Sequence, residues 1–209
     1  MRSRSVSRSW RERRHDSRLN EVLWVAAIAL GLVAGFATRG RIDNLARLHF
    51  RWPWLVVAVL AIRAAAVLTP LHSVDGVQYL YVAGLAALVA WALWHVKRVA
   101  GIWLVAVGSS FNLIVIAANS GRMPVAPELA GSLVQRGHLG QYAVMASDTH
   151  LNWLGDWISL RGLIGWGPLD AYSPGDLIVA LGIAAVTALA MRIGTGATET
   201  PPGIVSDPP

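Results

Sequence analysis

Five long stretches of this chain carry almost no charge, and that restricts its fold more than any other feature. They run over about 22–38, 54–71, 77–96, 99–121 and 176–192. Each is apolar on all sides rather than along one stripe, which is the pattern of helices facing lipid rather than of helices half-exposed to water. The composition agrees. Of 209 residues 55% are hydrophobic and only 14% charged, where a soluble domain carries roughly 25%. Mean hydropathy is +0.48. No strong alternation of polarity over ten-residue segments is present, which argues against a transmembrane β-barrel. The expected fold class is all-α: an integral membrane helical bundle of about five transmembrane helices, with a short interfacial helix and a long extracytoplasmic connector.

The remaining charge defines the ends. Residues 1–21 form an arginine-rich arm and residues 194–209 a tail with four prolines, both expected to be disordered. The helical domain then covers 22–193. A net charge of +6 does not imply nucleic acid here, because most of the excess lies in the arm and in short connectors, where it serves topology and anionic headgroups. The first apolar block reads as a retained span rather than a cleaved signal peptide, since further spans follow at once. With no cysteine there is no disulfide, thiolate metal site or cysteine nucleophile. His72, His95, His138 and His150 lack metal-ligand spacing. No metal and no cofactor are expected.

Residues 39–53 make a basic connector in which Ile42, Leu45, Ala46 and His49 fall on one helical face, expected to be a short amphipathic helix at the interface. This connector, Lys97, Arg98 and Arg192 all fall on one side of a five-span chain, which should be cytoplasmic by the positive-inside rule. The turn near 72–76 and the connector 122–174 then face outward. So does the arm, against the rule.

A polar side chain at membrane depth costs free energy unless it has a partner or a task. Six such residues form the candidate polar cluster: Asn112, Asn119, Arg122, Asp156, Asp176 and Arg63. Asn112 and Asn119 lie seven residues apart, so they share a helix face ~10 Å apart along the axis. Gly101, Gly108 and Ser109 lie close to that stripe and would let a neighbouring helix approach. The two amides therefore serve as interhelical glue or line a cavity. Gly121 permits a left-handed helix end and Pro124 stops the helix. Asp176 falls in the first turn of the last span, where a carboxylate complements the helix dipole. Asp156 lies in the connector, with Trp153 and Trp157 beside it as interfacial anchors. Two acids held together could divide base and acid roles on a water. Arg63, ~13 Å into its span, either snorkels or pairs with Asp156 or Asp176.

These residues carry a resemblance. The basic run Gly40 to Pro53 is one part, and the run Asn112 to Val125 is the most specific. Leu154-Gly155-Asp156 and Ser173-Pro174-Gly175-Asp176 complete it. Together they resemble the bacterial membrane family catalogued as domain of unknown function 5317, over about residues 22–193. The resemblance implies a multi-pass protein of the bacterial cytoplasmic membrane and no assigned activity. A partial similarity to lipoprotein signal peptidases lies in the order of two aspartates, the second opening the last span. The chain departs from that family at Ser173, where an Asn is expected, and lacks a Gly-Asn-x-x-Asp-Arg run at the first aspartate.

Three functions are therefore in play. The first is a small non-enzymatic binding, transport or assembly component with its polar cluster at the outer face. The others are an intramembrane aspartyl hydrolase with catalytic Asp156 and Asp176, and a purely structural or lipid-interacting protein. The balance leans away from an enzyme. Expected partners are membrane lipids and other membrane proteins, not nucleic acid.

Overall fold

The structure, a computed structural model, describes residues 22–68, 76–135, 141–159 and 171–192, without the side chains of 63–68 and 132–135. The arginine-rich arm, the proline-rich tail, His72, Asp75 and His138 lie outside the described residues. Five apolar helices form the frame: α1 (Val22–Ala37), α2 (Pro53–Leu68), α3 (Val77–His95), α4 (Ile102–Ala118) and, last in the chain, α6 (Pro174–Ala190). The connector adds a short helix, α5 (Pro127–Gln135), and two three-residue strands, β1 (Met123–Val125) and β2 (Tyr142–Val144). The mainly helical expectation holds, and the long helices follow the apolar blocks to within about three residues at each end. The small parallel sheet was not foreseen.

In space the helices follow the order α1, α6, α4, α3, α2, so the last helix sits between the first and the fourth. Small residues allow this. On α4, Gly101 and Gly108 lie against the α6 backbone: a Cβ at Gly108 would come 2.5 Å from the Gly175 carbonyl oxygen, and one at Gly101 3.0 Å from the Val186 nitrogen. Gly175 and Gly182 answer from α6, the latter facing the Val105 nitrogen at 2.7 Å. α6 also packs on α1 through Gly31 and Gly35, a Gly-x-x-x-Gly pair that brings α1 onto Ala184, Thr187 and Met191. With small side chains at the contact, backbones approach closely and dispersion accumulates over a long interface.

The helix ends divide into two sets. At one end, Arg51 hands its N–H to Nε2 of His95 (3.0 Å) and its carbonyl oxygen accepts from Trp91 Nε1 (2.8 Å). His95 Nδ1 bonds the Trp91 carbonyl oxygen at 2.8 Å, so that nitrogen carries the proton and the ring is neutral. The His95 side chain is fully buried; it ties the connector that leads into α2 to the end of α3. The expected amphipathic helix at 39–53 is a six-residue 3-10 helix, Ile42–Arg47. Its inward residue is Asn44, not the apolar face: Asn44 donates to the Met191 carbonyl oxygen at 2.8 Å, while Ile42 is exposed. The Met191 carbonyl, past the end of α6 and without a donor in its own helix, accepts from the Arg41 N–H and draws the Asn44 amide inward more strongly than an aliphatic group.

This first end holds Arg39, Arg41, Arg47, Arg51, Lys97, Arg98 and Arg192, all exposed, against one acid, Asp43. The opposite end holds Glu128, Asp148, Asp156 and Asp176 with Arg122. Between the ends the outward side chains are large and apolar. Val33 is 66% exposed, Trp54 64% and Val57 65%. Among the described residues α3 alone is long and apolar enough to cross a membrane by length and composition; α1, α4, α6 and the Pro53–Ile62 part of α2 are shorter apolar helices.

Candidate functional site at the connector end

The acidic end is built on two helix termini. α6 begins with a capping box: Ser173 Oγ accepts from the Asp176 N–H (2.9 Å), and Asp176 Oδ2 accepts from the Ser173 N–H (3.1 Å). Pro174 fills the first helical position, where a missing N–H costs nothing. Asn112 of α4 completes the unit. Its Nδ2 donates to Asp176 Oδ1 at 2.8 Å, and its Oδ1 accepts from Ser173 Oγ at 2.9 Å. Four hydrogen bonds thus close a ring through three side chains. Asp176 is a helix-capping residue, as its place in the first turn implies, but the cap itself is Ser173, which sequence reading passed over. The Ser-x-x-Asp spacing is the signal that could have found it.

Asn119 is the last residue of α4's terminal turn. Its Nδ2 donates to the carbonyl oxygens of Val115 and His150, both at 2.8 Å, and its Oδ1 accepts from the His150 N–H at 2.8 Å. It therefore staples the helix end to the 146–150 loop instead of sharing a cavity wall with Asn112. Ser120 and Gly121 follow with φ of 55° and 84°, and the Gly121 N–H reaches the Ile116 carbonyl oxygen at 2.9 Å. The left-handed turn that Gly121 permits thus begins one residue earlier, at Ser120. Replacing Asn119 with Ala should leave the helices intact but loosen this loop. Faster amide exchange confined to 146–151, equivalent to about 1–3 kcal/mol of local stability, is expected; unchanged exchange there would contradict the staple.

Asp156 is brought in by backbone pairing. Its N–H donates to the Pro124 carbonyl oxygen (2.8 Å) and its own carbonyl accepts from the Ala126 N–H (2.9 Å), extending β1 by one bridge. Gly155 makes room, since a Cβ there would lie 2.6 Å from the Pro124 oxygen. The Asp156 side chain is buried, 4% exposed. The Asp176 carboxylate, with which it was expected to share a site, instead accepts from Asn112 Nδ2 and the Ser173 N–H. Arg63 lies on α2, but its side chain is outside the described residues.

Arg122 opens onto a cleft of about 350 Å³ between the start of α3, the end of α4 and the 143–150 segment. Gln78, Ser120, Asp148, Thr149 and His150 line it with Arg122. Asn119 lines it too, so the cleft takes in two residues of the candidate polar cluster, Asn119 and Arg122, whereas Gln78, Asp148 and His150 become their neighbours through tertiary contact alone. Among the described residues no group of three His, Cys, Asp or Glu side chains is arranged to hold a metal.

The fold and this end define a class: a helical protein of apolar helices whose long connector folds into a polar cap. A family model described as a family of unknown function, DUF5317, matches residues 47–188, about two thirds of the chain, and the chain belongs to that family. The match is narrower than the 22–193 of the sequence resemblance and leaves α1 outside. No curated protein and no solved structure matches the chain.

Proposed function

We propose that the chain is a five-span protein of the cell membrane, its basic end in the cytoplasm and its polar cap outside, acting as a small binding component through that cap. The segregation of charge carries the reading. Seven exposed Lys and Arg side chains gather at one end of the helix row and four of the five described acids at the other, with large apolar side chains exposed between. Water would penalise that apolar belt, whereas lipid does not, and basic short loops stay on the cytoplasmic side. Helices of sixteen or seventeen residues reach about 24–26 Å, so a locally thinned bilayer is part of the reading. The hydrolase alternative has less support, because Asp176 is engaged in the capping ring.

The cysteine-free sequence makes the test direct. Ser147→Cys in the cap should react with a membrane-impermeant maleimide on intact cells. Val96→Cys at the basic end should react only after permeabilisation. Equal labelling of both, or release of the protein by alkaline carbonate, would overturn the proposal.

A further inference from the structure

We infer that the 350 Å³ cleft is a binding site for a zwitterion carrying a phosphate and an ammonium group, the chemistry of an ethanolamine phospholipid headgroup. Three observations lead there. First, residues of opposite charge share one opening: Arg122 and Asp148 both line the cleft, with His150 and Gln78. Among the described residues neither Arg122 nor Asp148 forms an ion pair, so each charge is available to a ligand. A guanidinium fits phosphate through paired N–H donors, and a carboxylate accepts from an ammonium.

Second, the walls are held in place without using those groups. Asn119 fixes the His150 backbone through three bonds. Thr149 Oγ1 closes on Ala146 with two bonds of 2.9 Å. Gly121 lets the turn that carries Arg122 approach Gln78, where a Cβ would lie 2.8 Å from the Gln78 Cγ. A preformed site avoids an ordering cost on binding.

Third, the residues that follow the lining in sequence are apolar or aromatic and exposed: Tyr79 and Leu80 after Gln78, and Leu151 after His150. Trp153 and Trp157 are exposed close by in sequence, as residues at headgroup depth are. A headgroup in the cleft could leave its acyl chains along these side chains. The inference deepens the proposed function and depends on the membrane reading only for this last point.

The test uses the full chain purified in mild detergent and returned to phosphatidylglycerol nanodiscs. Phosphatidylethanolamine, phosphatidylglycerol, soluble glycerophosphoethanolamine and glycine are then compared as ligands by native mass spectrometry. The wild type should retain phosphatidylethanolamine at least ~10-fold better than phosphatidylglycerol, and Arg122→Gln should weaken retention of it by a similar factor. Asp148→Asn should remove the preference for ethanolamine while leaving phosphatidylglycerol unchanged. Both side chains are exposed, so unchanged thermal unfolding should accompany each substitution.

Equal binding of glycerophosphoethanolamine and the diacyl lipid would assign the same site to a soluble phosphoamine. No preference between the two lipids, glycine competing as well as either phosphoamine, or indifference to both substitutions would overturn the inference. Maleimide labelling is unaffected by any of these results, so failure here is distinct from failure of the topology.

Discussion

Gly175→Ala is expected to be among the most damaging single-methyl additions in the chain. The new Cβ would be driven into the Asn112 side-chain oxygen and would lie 2.7 Å from the Gly108 carbonyl oxygen. Neither obstacle can yield cheaply. The Gly108 oxygen belongs to α4's backbone, and Asn112 is held by Ser173 and Asp176. Relief requires α4 and α6 to separate along an interface that also includes Gly101 and Gly182. Overpacking commonly costs about 1–3 kcal/mol; with backbone on one side and a fixed amide on the other, a loss of ~3 kcal/mol or more is expected. Thermal or denaturant unfolding in detergent measures it. Gly131, around which a Cβ meets nothing within 4 Å, is the control. Equal effects of Gly175→Ala and Gly131→Ala would show that the α4–α6 contact is looser than described.

Asp176→Ala should come next in size. It removes the reciprocal half of the capping box, worth about 0.5–2 kcal/mol. It also leaves Asn112 Nδ2 without its acceptor, and a stranded amide costs roughly 1–3 kcal/mol. Together a loss of about 2–4 kcal/mol follows. Asp176→Asn should be milder, because an amide oxygen can still accept one of the two bonds. The decisive quantity is coupling. Because Asn112 and Asp176 share a direct bond, the double substitution to Ala should cost less than the sum of the singles, by about 0.5–2 kcal/mol. Additive losses would mean that the 2.8 Å contact contributes nothing of its own. A functional defect from Asp176→Asn at unchanged stability would instead revive a chemical role for that carboxylate.

Both predictions concern residues that the sequence marks as unusual, yet it could not assign their partners. Asn112 and Asn119 share a helix face by spacing, which favours a common role. They serve different contacts, because the chain at Asn119 has reached the helix end and meets the 146–150 loop, whereas Asn112 still faces α6. Asn44 is inconspicuous within a basic connector, and its inward turn follows from the Met191 carbonyl, 147 residues away, which has no donor within its helix and accepts from both the Asn44 amide and the Arg41 N–H. His95 likewise reads as a basic residue ending a span until Arg51 is brought against it. The Gly31/Gly35 spacing is that of a close-packing motif, but within an apolar block nothing in the sequence marks α6 as its partner.

The sequence by itself determined the five apolar helices and nearly all their limits, the basic end, and the breaks at Gly121 and Pro124. These follow from local rules, namely side-chain polarity, missing N–H groups and the freedom of glycine, which act within a few residues. Only the tertiary structure decided that the last helix inserts between the first and fourth. The same packing ties Asp176 to Asn112 and folds the connector back over α4 to form a cleft. Those outcomes depend on which backbone lies within hydrogen-bonding distance of which side chain, and such distances arise between residues far apart in the chain.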